Sequence, residues 1–426
     1  MKLSCSVLAL ALLALSCTKD DPVGEPSYFS VRIDEVDSYA FGPDDRYPYV
    51  HIPYLVMEDL PEGERLLSLR GCFSHRTASP DTTDYVCGSD CSSDQTVADW
   101  DWTSPLVLSP AGLVQLLPGR TYRFTGTAVT DRGSYRSNTI EIRSEKSAPV
   151  SVSPEAYRIP VIFHLFPGDG GRYPKADILY DMLEYANIVY GNYYGLPHQC
   201  DAKVCFVLAE RDPQGRPLEL PGIRYEQEGV YVDAAGEVHG MDEENHLWDM
   251  EQALNVWVCP FDMEIEDNSV LAGFSWLPFF DAEHMLPGCN VYDPRYCTGI
   301  YLNSGALRFA GNLQLFAHEA GHFLGLKHVF EEDWCEDTPR YDREAYLPRK
   351  YELMYEREYA DAPGNYFFSD NVMDYFYSVH SGVTPAQAGR IWHTLRYAYH
   401  IPGEAGMTAP RLRSERPARF PPNPVW

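Results

Sequence analysis

The stretch His318-Glu319-Ala320-Gly321-His322-Phe323-Leu324-Gly325-Leu326-Lys327-His328 limits what this chain can fold into more than any other. Gly311 to Leu324 has helical spacing, with Leu313, Phe316, Ala317, Ala320 and Leu324 at its apolar positions. His318 and His322 are four apart and so project from one helix face, about one turn from each other. Two imidazoles placed this way can reach a single zinc ion at roughly 2.0–2.1 Å. Glu319 is next to a ligand but out of line with the pair, a position suited to taking a proton from water rather than binding the ion. On a continued helix His328 would lie about 15 Å further along the axis than His318 and could not share the ion. The helix therefore has to end and the chain turn back. Gly325 sits where that turn is needed, and glycine accepts the left-handed conformation that closes helices. Five fixed positions at roughly one in twenty each, over about 400 starts, arise by accident on the order of once in ten thousand chains. The set therefore points to a metal site, although each histidine alone would not.

Further along the chain, Asn371-Val372-Met373-Asp374-Tyr375 follows about 45 residues after the third histidine. Together with the zinc helix it resembles the metzincin peptidases, whose methionine turn lies beneath the metal. The Asn-x-Met-Asp-Tyr form is similar to the pappalysin-like branch. So are Leu254-Asn255-Val256-Trp257-Val258-Cys259, Asp337-Thr338-Pro339 and Thr384-Pro385-Ala386-Gln387. The likeness spans about 157–400 and is most specific at the zinc helix. It implies one catalytic Zn2+ on His318, His322 and His328, with Glu319 as general base. Met373 would form an apolar floor. Tyr375 would approach the metal or stabilise an oxyanion, its other reading being a packing tyrosine. The branch also binds Ca2+ near positions matching Asp337, Thr338, Asp361 and Asp370, for which solvated loop acids are the alternative. Two departures bear on disulfides: His380 stands where the branch has a cysteine, and Cys335 directly precedes Glu336-Asp337. The implied activity is a zinc endopeptidase acting on extracellular proteins or peptides. The competing reading is a surface binding protein or adhesin that keeps an idle zinc fold, and the intact Glu319 speaks against it.

The N-terminus reads as an export segment. Lys2 precedes the apolar run Val7 to Leu15, which is too short to span a bilayer, and Ser16-Cys17 follows. This resembles a bacterial lipoprotein signal over 1–16, with Cys17 acylated. Thr18-Lys19-Asp20-Asp21 resembles a tag for the outer face of the outer membrane. Residues 17–27 would be a lipid-anchored tether. From 28 to 143 the pattern is β-like. Phe29, Val31 and Ile33 alternate with polar residues, Tyr49 to Val56 and Arg65 to Phe73 are strand-like, and Thr121 to Thr130 returns through an Asp131-Arg132-Gly133 turn. The Leu117-Pro118-Gly119 to Tyr122 stretch resembles the corner of a fibronectin type III sandwich.

Residues 144–155 read as a linker and 156–403 as a mixed α/β (α+β) catalytic domain. Its expected elements are strands at Ile159 to Leu165, Val204 to Ala209, Asn255 to Val258, Ala272 to Leu277 and Gly299 to Leu302. Helices are expected at Lys175 to Tyr190 and Glu244 to Leu254. Residues 404–426 form a Pro/Arg-rich tail. The formal net charge of −28 disfavours nucleic acid as a partner. With Cys5 and Cys17 set aside, nine cysteines remain (Cys72, Cys87, Cys91, Cys200, Cys205, Cys259, Cys289, Cys297 and Cys335), and in an exported chain they are expected to form disulfides with at least one left over.

Overall fold

The structure, a computed structural model, describes residues 29–33, 53–57, 63–75, 106–108, 117, 121–143 and 155–403, apart from 169–170, 228, 263, 266–268, 294, 309–312, 354 and 376. The proposed signal, Cys17, the tether and the tail at 404–426 lie outside them.

The N-terminal part contains β1 (Phe29–Ile33), β2 (Pro53–Met57), β3 (Leu66–His75), β4 (Leu106–Leu108), β5 (Thr121–Thr130) and β6 (Ser134–Arg143). They form two antiparallel three-stranded sheets, ordered β1-β2-β4 and β3-β5-β6. The expected turn at Asp131 to Gly133 closes the β5–β6 hairpin. Thr130 holds it, its hydroxyl accepting from the amides of Arg132 and Gly133 at 3.2 and 3.1 Å.

The second part is built on a six-stranded sheet. Its strands are β7 (Tyr157–Leu165), β8 (Val204–Leu208), β9 (Ile223–Tyr225), β10 (Leu254–Cys259), β11 (Gly273–Ser275) and β12 (Ile300–Asn303). The order is β11-β12-β10-β7-β8, with β9 pairing the second half of β7. All pairs are parallel except β11 with β12. Ile159, Val161, Ile162, Phe163 and Leu165 of β7 and every residue of β10 are buried, as expected of central parallel strands covered on both faces. Against this sheet pack α1 (Ala176–Tyr190) and α2 (Gln314–Phe323), the helix that carries the first two histidines. Phe163, Phe206, Phe316 and Tyr190 interlock edge-on at 5.2–5.6 Å, joining sheet and both helices in one core. The chain closes with α3 (Pro385–Tyr397), which begins in a capping box between Thr384 and Gln387.

Two expectations are corrected. The helix expected at Glu244 to Leu254 is a single turn, Glu243–His246. The Asn255 side chain claims the backbone beyond it, accepting from the Trp248 amide at 2.8 Å and donating to the oxygens of Trp248 and Ala253 at 3.0 and 3.3 Å. Such side-chain bonds compete with the helical ladder. The expected disulfides are also absent for Cys200, Cys205, Cys259, Cys289 and Cys335, which are unbridged thiols. Two of them pack in different clusters: Cys259 with Phe166 and Trp257, and Cys200 against the main core. Burial pushes the Cys289 thiol up to about 11 and the Cys335 thiol to about 12. Cys87, Cys91 and the side chain of Cys72 lie outside the described residues. Among the described residues no helix is long and apolar enough to cross a membrane.

Candidate metal centre

Helix α2 ends where the sequence requires it. Gly325 has φ +92°, and the Leu326 amide returns to the Gly321 oxygen at 2.8 Å. Arg390 of α3 holds the turn from outside, donating to the Gly325 oxygen from Nε at 3.1 Å and from Nη2 at 2.9 Å. The reversal brings His328 back to the helix, so that the ligand nitrogens of His318, His322 and His328 lie within 4.8 Å of one another. All three rings are buried.

The outer nitrogen of each ring is committed. His318 Nδ1 donates to the Val372 oxygen at 2.7 Å, and His322 Nδ1 to the Leu326 oxygen at 2.9 Å. His328 Nδ1 lies 3.2 Å from Glu331 Oε1. These partners only accept, so each Nδ1 carries the hydrogen and each Nε2 the lone pair. His322 Nε2 and His328 Nε2 then face each other at 3.0 Å, lone pair toward lone pair, and His318 Nε2 is buried without a hydrogen-bond partner. Bringing such nitrogens together out of water is unfavourable unless a cation lies between them. Burial, and then the neighbouring rings, hold His318 and His322 well below the usual imidazole range. Burial lowers His328 too, with Glu331 opposing. Neutral imidazole is the form that binds metal, so the donor set fits a zinc ion.

Glu319 is buried, its Oε2 has no hydrogen-bond partner, and burial holds its carboxyl well above the usual range. Gly273 of β11 leaves room for it, since a Cβ there would sit 3.2 Å from Glu319 Oε1 and 2.9 Å from the Tyr301 oxygen. Met373 is fully buried beneath α2, and a Cβ on Gly321 would lie 2.3 Å from its sulfur. The Tyr375 ring is 5.4 Å from that of His318 and 4.5 Å from that of His328. Burial, then the Glu319 carboxylate, pushes its phenol up.

Three of the four residues named for Ca2+ bond to separate partners. Asp337 caps α3, accepting from Thr384 Oγ1 at 2.6 Å and the Ala386 amide at 2.9 Å. The Thr338 hydroxyl donates to Asp333 Oδ2 at 2.6 Å, and Asp370 pairs with His198 at 2.6 Å. Among the described residues, the groups of His, Cys, Asp and Glu close enough to hold an ion are the histidine triad and Asp233, Glu237 and His239.

Several contributors escape the sequence reading. Arg357 is fully buried, donates from Nη2 to the Tyr375 and Tyr377 oxygens at 3.1 Å each, and lies 3.4 Å from Asp374. It thus supports the methionine turn from below. Nothing in the sequence distinguishes Arg357 or Arg390 from surface arginines. Glu331, three residues beyond His328, could have been picked out as a nearby carboxylate.

A parallel sheet with one antiparallel edge strand, a helix broken at glycine and a buried histidine triad beside a glutamate are the features of a metallopeptidase catalytic region. Consistent with this, residues 238–396 match the model of the family described as Pregnancy-associated plasma protein-A, a peptidase family, and the match takes in the triad, Glu319 and the methionine turn. Among solved structures the chain is similar to mirolysin in complex with a compound, with 17% identity, 57% of this chain and 92% of that chain covered, and a TM-score of 0.40. It is also similar to a mutant of Tannerella forsythia promirolysin, with 18% identity, 57% and 81% covered, and a TM-score of 0.36. No curated protein matches.

Proposed function

We propose that the protein is a zinc-dependent endopeptidase of the metzincin type that hydrolyses peptide bonds of extracellular proteins or peptides. The observation that carries this reading is the convergence of three buried Nε2 lone pairs with Glu319 alongside. His318, His322 and His328 would hold the ion. When bound there, zinc supplies Lewis-acid polarisation of a peptide carbonyl and acidifies water. Glu319 takes the proton of the attacking water and returns it to the leaving amine. A carboxylate made more basic by burial is suited to both transfers. Tyr375, its ring beside those of His318 and His328, would donate its hydroxyl to the oxygen that gains charge, and the buried Met373 would form an apolar floor. The alternative of an idle binding protein is disfavoured by Glu319, because a buried carboxyl with an unpartnered oxygen is costly to retain without use.

The remaining expectations complete the reading. Residues 28–143 would form a fibronectin type III-like spacer, supported by their two antiparallel sheets, and 156–403 the catalytic domain. The acylated Cys17 would anchor the chain to the outer membrane, facing outward. Cys17→Ala is then expected to release the protein from membranes, and a variant that stays bound would refute the anchor.

The test of activity is Glu319→Ala. It should bind zinc as the parent does and lose cleavage of denatured protein. A zinc-loaded parent that cuts no member of a broad peptide library would favour the binding reading.

A further inference from the structure

We infer that Glu331 is a positioning residue for the third metal ligand, held in that role by Lys327; the inference rests on the zinc reading above. The three ligands are not supported alike. His318 and His322 stand on α2, and their outer nitrogens are fixed by main-chain oxygens, at Val372 and Leu326. His328 lies beyond the helix, past the Gly325 turn, where no helical ladder orients its ring. Its Nδ1 meets a side chain instead, Glu331 Oε1 at 3.2 Å.

That carboxylate is itself held. Its second oxygen, Oε2, pairs with Lys327 Nζ at 2.8 Å, and the Glu331 amide bonds back to the His328 oxygen at 3.1 Å. Lys327 Nζ in turn lies 5.4 Å from the centre of the Trp334 ring. Gly288 lets that indole in, for a Cβ there would stand 2.3 Å from it. Trp334, Lys327, Glu331 and His328 thus form a chain that ends on the metal-facing ring.

A carboxylate can only accept this bond, so it fixes the hydrogen on Nδ1 and leaves Nε2 as the donor to metal. An anionic partner also makes the imidazole a better ligand than a neutral one would, and losing such a partner typically costs about 10–100-fold in metal affinity. Glu331 is partly exposed, so its effect should fall toward the lower part of that range.

The experiment measures the zinc dissociation constant of the full chain, by competition with a chromogenic chelator, for the parent, E331A, E331Q and K327A. The melting temperature of each is recorded without metal. E331A should bind zinc at least about tenfold more weakly with an unchanged metal-free melting temperature. E331Q keeps an acceptor and should recover part of the loss. K327A should show a smaller loss of the same kind. Zinc binding by E331A as tight as by the parent overturns the inference. So does a loss shared equally by E331Q and accompanied by a matching fall in metal-free stability, which would mark a structural role only. A parent that binds no zinc would instead sink the zinc reading itself, so the two failures are distinguishable.

Discussion

The His318 ring donates from Nδ1 to the main-chain oxygen of Val372 across 2.7 Å, so the segment that places Met373 under the helix also sets the hydrogen of the first proposed ligand. Residues 54 apart in sequence are joined in one device. Val372 is held in turn by its amide, which donates to the Gly382 oxygen at 3.0 Å. The methionine turn therefore does more than floor the site.

Gly325→Ala should damage the site and the fold together. The position has φ +92°, and an added Cβ would lie 2.6 Å from Thr394 Oγ1. A side chain in this conformation costs about 1–3 kcal/mol, and relaxing it would carry His328 away from its partners. A lower melting temperature and substoichiometric zinc by atomic absorption are expected. Full zinc content at unchanged stability would contradict the turn argument.

Arg357→Met should destabilise by about 3–5 kcal/mol, the cost of leaving a buried carboxylate without its cation. Arg357 and Asp374 are both essentially inaccessible, and Asp374 also accepts from Tyr341 at 2.5 Å and from the Tyr375 amide at 2.7 Å. Chemical denaturation reads this directly. A shift below about 1 kcal/mol would show that the pair is dispensable.

Removing the metal should lower thermal stability. The triad crowds lone pairs that only a cation reconciles. A ligand at a thousandfold excess over its dissociation constant stabilises by about 4 kcal/mol, or roughly 8–16 °C for a domain of this size. Scanning calorimetry with zinc and with a chelator measures it, and superimposable traces would count against a metal site.

Acid should destabilise the fold in part through His400. Burial lowers its pKa from 6.5 to about 4, with Asp249 opposing. The folded value is the depressed one, so the contribution is complete above pH 6.5 and is lost as the pH falls toward 4. That fall in pKa corresponds to roughly 3 kcal/mol. His400 has φ +62°, which asparagine tolerates. His400→Asn should therefore flatten the pH dependence of the urea midpoint between pH 6.5 and 4, measured in chelator. An unaltered slope would remove His400 from the account.

Much of the site was legible along the chain because its parts are local. The i, i+4 spacing of His318 and His322 and the glycine that turns His328 back follow from helix geometry alone. The strands of the sheet were legible as apolar runs, since central parallel strands are buried on both faces. The helix expected at Glu244 to Leu254 failed because the Asn255 amide, at the start of the next strand, took up the backbone groups that a helix would have used. The disulfides expected of Cys200, Cys205, Cys259, Cys289 and Cys335 failed because spacing carries no information on where cysteines lie in space.

The sequence by itself determined which three histidines could share an ion, the glutamate proposed as base, the required chain reversal and the mixed class of the domain, because spacing and local apolar pattern carry each of them. The tertiary structure alone decided what holds them. Val372 on His318, Arg390 on the Gly325 turn, Arg357 under Tyr375 and Gly273 beside Glu319 all come from distant segments. Hydrogen bonds and steric room of that kind depend on which surfaces meet when the core closes, and residue order does not record it.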